Sequence, residues 1–133
     1  MRFAAFALLF LAGCASTAPV STGPRFPRSH GVTLTEADRA NPVAALRRAG
    51  AADAMTPEGA RRLFGKADVE RVDGAGAMLT YRTPTCAIVL IFAADRSGDL
   101  RLGAAEAAAR DQRAPTPPLE QCVTEAQARA ATS

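Results

Sequence analysis

Cys86-Ala87-Ile88-Val89-Leu90-Ile91-Phe92-Ala93 runs for eight residues without a polar break. A membrane-crossing helix needs about 20 apolar residues, so the stretch is too short to span a bilayer. Its β-branched content and its length point instead to a central strand buried on at least one face. On its C-terminal side, Asp95-Arg96-Ser97-Gly98-Asp99 has the chemistry of a turn. Leu100 and Leu102 then alternate with Arg101 and Gly103, the period of a further strand. Residues 104–111 read equally as a continuation of that strand or as an Ala-rich helix. On the N-terminal side, Val69–Val72 and Ala77–Arg82 have strand character and are separated by Asp73-Gly74, a hairpin or bulge signal.

Upstream of the strands the signals are helical. Thr56 is suited to cap a helix that starts at Pro57 and closes at Gly65 after Leu63-Phe64, with Glu58 at its positive end. Asn41, Pro42 and Gly50 frame an earlier helix over Pro42–Ala49. A weaker helical turn precedes it around Thr35–Arg39. Downstream, Pro115–Pro118 breaks the chain, and Leu119–Ala131 can form a short helix that carries Cys122 back to the sheet. Helices followed by strands define an α+β class, here two short helices packed on a three-stranded antiparallel sheet. There are no internal repeats and no Gly-rich phosphate loop.

The amino terminus reads differently. After Met1-Arg2, residues 3–13 carry no polar side chain, which gives a charged start and an apolar region of eleven residues. This has the length and flanks of an export signal, and it is excluded from the fold. Leu11-Ala12-Gly13-Cys14 resembles the lipobox of bacterial lipoproteins, in which the cysteine thiol takes a diacylglycerol and, after cleavage, the amine can be acylated too. Two or three acyl chains hold a protein stably at a bilayer, where one holds it marginally. Ala15, not Asp, follows the cysteine, which favours the outer membrane over retention in the inner one. The expected organisation is therefore a signal peptide at 1–13, a lipidated Cys14 with a Pro- and Ser-rich tether at 14–40, a domain at 41–125 and a tail at 126–133.

Of 133 residues, 16 are basic and 13 acidic, a net charge of +3 that falls to +2 once Arg2 leaves with the signal. The arginines are scattered, and one Tyr with no Trp gives no aromatic interleaving, so nucleic-acid binding is not indicated. Three cysteines are present. With Cys14 assigned to lipid, Cys86 and Cys122 form an even pair in an oxidising compartment, and a disulfide is the expectation. Its loop of about 37 residues is worth roughly 3–4 kcal/mol in the chain-entropy account. Zinc would want more His or Cys, and a catalytic thiol would want a His base; the single histidine, His30, stands in the tether. The carboxylates Glu58, Asp68, Glu70, Asp73, Asp95, Asp99 and Glu106 are paired with no His, Ser motif or metal set. If 104–111 were helical, Glu106 and Arg110 would form an i,i+4 surface pair. No cofactor, metal site or enzymatic activity is expected.

The run from Leu63-Phe64-Gly65 through Asp73-Gly74, Tyr81, Cys86-Ala87-Ile88 to Phe92 and on to Cys122 resembles the SmpA/OmlA (BamE-like) lipoproteins, and more closely a group of small alphaproteobacterial lipoproteins of related pattern. The resemblance covers roughly residues 55–125. Ala67 stands where that pattern has Pro, and Leu79 where it has Trp. The resemblance implies two helices against a three-stranded sheet, attachment to the outer membrane facing the periplasm, no catalysis, and an accessory role in a complex that assembles outer-membrane proteins. An envelope protein partner is expected on an exposed sheet face or edge. A periplasmic ligand- or inhibitor-binding module on the same fold is the alternative.

Overall fold

The computed structural model describes residues 34–133. The segment expected to be a signal peptide, Cys14, His30 and most of the expected tether lie outside the described residues.

Four helices and four strands follow one another: α1 (Glu36–Ala40), α2 (Pro42–Arg47), α3 (Pro57–Phe64), β1 (Val69–Asp73), β2 (Gly76–Arg82), β3 (Cys86–Ala94), β4 (Leu100–Ala109) and α4 (Leu119–Ala130). The strands form one antiparallel sheet in the order β1-β2-β3-β4, a meander in which every neighbour in sequence is a neighbour in space. The class is α+β as expected. The count of three strands and two helices is corrected to four of each among the described residues.

The helix starts are local and legible. Asn41 Oδ1 accepts from the Ala44 N–H at 3.0 Å, and Thr56 Oγ1 accepts from the Gly59 N–H at 3.2 Å, each followed by Pro at the first helical position. Gly65 ends α3 with φ +75° and ψ −155°, a region that side chains with a Cβ seldom enter. Helix α1 has a full capping box: Thr35 Oγ1 accepts from the Asp38 N–H at 3.1 Å, and Asp38 accepts from the Thr35 N–H at 2.9 Å. Asp38 and Leu34 are both buried, so the folded unit begins ahead of residue 41, where the sequence places the tether boundary. It also runs past 125: α4 continues to Ala130, and Ala126 is fully buried.

Asp73-Gly74 closes a hairpin, with β1 and β2 paired from Val69↔Thr80 to Asp73↔Gly76. The ambiguous Ala-rich stretch is strand. Ala is a strong helix former, yet β3 has a long apolar backbone whose outer edge needs partners. Pairing from Ile91↔Ala104 to Cys86↔Ala109 supplies them, and tertiary demand overrides propensity. The Glu106–Arg110 pair expected of a helix is therefore not formed, because four residues of strand span about 13 Å. Arg110 donates to the Thr83 carbonyl at 2.9 Å instead.

One face of the sheet carries the core. Ala77, Leu79 and Tyr81 of β2, Ile88, Leu90 and Phe92 of β3, and Leu100 and Leu102 of β4 are all buried there. Leu46 of α2, Phe64 of α3 and Val123 of α4 close over them from the helix side. Phe64 and Tyr81 meet with ring centroids 5.4 Å apart.

Candidate interaction surface

The β2–β3 connection is a short Thr83-Pro84-Thr85 turn, and α4 is fastened across it. Cys86 and Cys122 form a disulfide with a Cα–Cα distance of 5.9 Å, and both residues are fully buried. Thr83 steadies the β3 side, donating from Oγ1 to the Cys86 carbonyl at 2.9 Å and accepting from its N–H at 3.2 Å. One turn along α4, the Glu125 carboxylate accepts from the Thr85 hydroxyl at 2.6 Å and from the Thr85 N–H at 3.2 Å. The Thr85 hydroxyl, then that of Thr83 and the Thr85 N–H, hold the Glu125 carboxyl down at about 2. One turn further, Arg129 pairs with Asp68 and donates to the carbonyls of Arg82 at 2.9 Å and Lys66 at 3.2 Å. Its guanidinium also lies 5.9 Å from the Tyr81 ring centroid. Cys122, Glu125 and Arg129 thus share one face of α4, at the spacing of helical turns.

Burial works against ionisation of Asp68, but the Arg82 N–H and Arg129 outweigh it and hold the carboxyl below the usual carboxylate range. Asp38 follows the same logic, with Thr35 and Arg48 overcoming the cost of burial. For Tyr81, burial raises the phenol well above its ordinary value, and its hydroxyl has no hydrogen-bond partner among the described residues.

The carboxylates singled out in the sequence are dispersed. Glu70 takes both Arg61 Nε and Nη2 at 3.1 Å, and Glu58 lies 3.7 Å from Arg61. Asp95 organises its own turn, accepting from the Ser97 N–H at 2.8 Å and the Asp99 N–H at 3.0 Å. Asp99 lies 3.9 Å from Arg101. Among the described residues no group of three or more His, Cys, Asp or Glu could hold a metal ion, and no helix is long and apolar enough to cross a membrane.

The helix–core packing lies on one face of the sheet. On the opposite face, among the described residues, only the loop of residues 50–52 comes near, sharing a hollow with Ala93, Arg101 and Gly103 at the β4 end. The residues of that opposite face fall in four cross-strand rows, read from the pairing register. One row is Val69, Thr80, Val89, Glu106, and the next is Arg71, Met78, Ile91, Ala104. Flanking them are Arg82, Ala87, Ala108 at one end and Asp73, Gly76, Ala93, Arg101 at the other. The centre is apolar, and the charges sit on the two outer strands and, as Arg82, at one end of β2. Ile91, at 43% exposure, is the one large apolar side chain left exposed among the described residues. Beside it Arg71, Met78 and Phe92 line a shallow groove of about 290 Å³.

The sequence reading reached Cys86 and Cys122 but missed the Glu125 and Arg129 fastenings and the composition of the open face. Each depends on which strands lie side by side, and no local signal carries that.

No family model, no curated protein and no solved structure matches the chain.

Proposed function

We propose that this protein is a membrane-anchored lipoprotein that faces the periplasm and serves as an accessory interaction module at the outer membrane. The observation that carries this reading is the uncovered sheet face with its apolar centre. Helices occupy only one side of the sheet, and an apolar patch rimmed by charge is the surface of a binding module. The disulfide and the Glu125 and Arg129 fastenings support the same reading, since they hold α4 on the opposite side and leave this face fixed in shape. The lipobox-like Leu11-Ala12-Gly13-Cys14 supplies the anchor, and a Pro-rich stretch after it supplies reach. The resemblance to SmpA/OmlA lipoproteins favours a role beside outer-membrane assembly machinery.

The test is expression of the full-length protein in a Gram-negative host, with fractionation and in-cell cross-linking followed by mass spectrometry. The wild type is expected in membranes, lipid-labelled and cross-linked to protein. Replacement of Cys14 by Ala should abolish lipid labelling and release the chain to the soluble periplasm. A Cys14→Ala chain that is still lipid-labelled refutes the anchor, and absence of any protein adduct refutes the interaction module. The second reading, a ligand- or inhibitor-binding module, is favoured by the groove beside Ile91; stabilisation by periplasmic peptides or peptidoglycan fragments, without a protein adduct, would select it.

A further inference from the structure

We infer that the occupant of the open sheet face is a second copy of this chain, packed face to face about a two-fold axis that runs along the strands between β2 and β3. The inference rests on the reading of that face as an interaction surface, and it names the partner.

The argument is one of charge placement. On the open face β1 carries Arg71 and Asp73, and β4 carries Glu106 and Arg101. The strands between them contribute Met78, Thr80, Val89, Ile91 and small residues, with one charge, Arg82, at the end of β2. A two-fold axis along the strands exchanges left for right, so β1 of one copy lies over β4 of the other and each row keeps its level. Asp73 then faces Arg101 of the other copy in the same row. Arg71 faces Ala104 directly and Glu106 one row away, within reach of two long side chains across sheets stacked about 10 Å apart. Both contacts are repeated by the symmetry. An axis in the same plane but across the strands would set β1 over β1 and bring two Arg71 side chains together. The charges therefore select one arrangement and penalise the other.

Neither Arg71 nor Glu106 has an ion-pair partner among the described residues, so both are free to take one across the interface. Arg101 already approaches Asp95 at 3.5 Å, which makes its pair with Asp73 an extension of an existing cluster. Arg82 lies on β2 beside the axis, so the Arg82 side chains of the two copies come to the same level about 5 Å apart in projection. This one like-charge contact, at the exposed end of the patch, subtracts from the four opposite-charge contacts.

Size is adequate and not generous. Strands about 4.8 Å apart and rows about 6.8 Å apart give a patch of roughly 500 Å² per copy. Two copies bury about 1,000 Å², the lower bound of a specific interface. Such an association gains from confinement at a common membrane, which raises the effective concentration of copies.

The experiment uses the full-length chain in cells, in two differently tagged versions, with photoreactive benzoylphenylalanine at position 91. A control carries it at the exposed position 44 on α2. Position 91 is expected to give an adduct of two chains bearing both tags, and position 44 none. In the position-91 background, Arg71→Glu alone and Glu106→Arg alone should each lower the adduct at least about tenfold, since each sets like charges face to face. Combining R71E with E106R should restore it, which also shows that the single variants lost a contact and not the fold. An adduct at position 91 with a different protein of discrete mass overturns the second copy and leaves the interaction module standing. Absence of any adduct at position 91 overturns both. A two-chain adduct that ignores the single charge reversals, or that the double reversal does not restore, overturns this geometry.

Discussion

Loss of the Cys86–Cys122 cross-link should cost this domain a large part of its stability. The bond closes a loop with a sequence separation of 36, for which the restriction on the unfolded chain is worth roughly 4 kcal/mol at 25 °C. Domains of this size are stable by about 5–15 kcal/mol, so the loss takes from a quarter to most of the total. The clean perturbation is Cys86→Ala with Cys122→Ala, which removes the bond without adding a hydroxyl to two fully buried sites.

The assay is urea denaturation followed by far-ultraviolet circular dichroism, on wild type, reduced wild type and the double variant. Expected is a fall of roughly 3–4 kcal/mol in both modified forms, and a drop in Tm of about 15–30 °C if the domain remains folded. Reduction and substitution should agree to within about 1 kcal/mol, because the native contacts of the two are nearly the same and the effect lies in the unfolded chain. Two results refute the reasoning. One is a double variant within about 1 kcal/mol of wild type at an unchanged denaturant slope. The other is a reduced wild type that keeps full stability while the variant loses it, which would assign the effect to packing and not to the cross-link.

Three further outcomes are expected. Leu90 is fully buried on the core face, and Leu90→Ala should cost about 2–5 kcal/mol in the same urea assay; Ile91→Thr, one residue on but on the open face, should stay within about 0.5 kcal/mol for the isolated copy. The folded-state value of Glu125, about 2, lies below the ordinary carboxylate value, so its contribution is complete above that ordinary value and is lost as pH falls through the folded one. Glu125→Gln should therefore reduce stability at neutral pH and remove part of the acid-side decline, so that the two chains converge as pH falls towards 2. Gly65→Ala meets only an ordinary contact, Ala130 Cβ at 3.5 Å, so its cost of about 1–3 kcal/mol comes from backbone strain; calorimetry that finds no loss would remove that strain from the account.

Much of the fold was legible because much of it is local. Thr56, Pro57 and Gly65 set the ends of α3 from within eight or nine residues, and Asp73-Gly74 set the hairpin. The disulfide followed from counting cysteines. What escaped the sequence is contingent on neighbours. The Ala-rich half of β4 has the propensity of a helix and becomes strand only because β3 lies beside it. Leu34–Ala40 shows at most a weak helical turn and falls within the expected tether, until Asp38 is seen to pair with Arg48, which caps the end of the following helix 10 residues on. Glu125 and Arg129 look like ordinary solvated charges in an exposed helix. Their partners, Thr85 and Asp68, lie 40 and 61 residues away in sequence.

The composition of the open face shows why its legibility had to wait for the register. Eight apolar residues in a row give no clue as to which side of β3 is covered, since both alternating sets are apolar. Charges on the flanking strands could have decided it, but β4 misleads. Counted in twos from Leu100 and Leu102, both buried, Glu106 would fall on the core side. The strand does not keep that count: Phe92 pairs with Leu102 and Ile91 with Ala104, so Gly103 is an extra residue, a β-bulge. The phase shifts there. Ala105 and Ala107 turn in to pack against the core, and Glu106 turns out to share a face with Arg101, five residues earlier, an odd spacing that an unbroken strand would put on opposite faces. A single glycine thus keeps a carboxylate out of the core and sets the acidic half of the charge pattern opposite Arg71, on which the self-complementarity of the face depends.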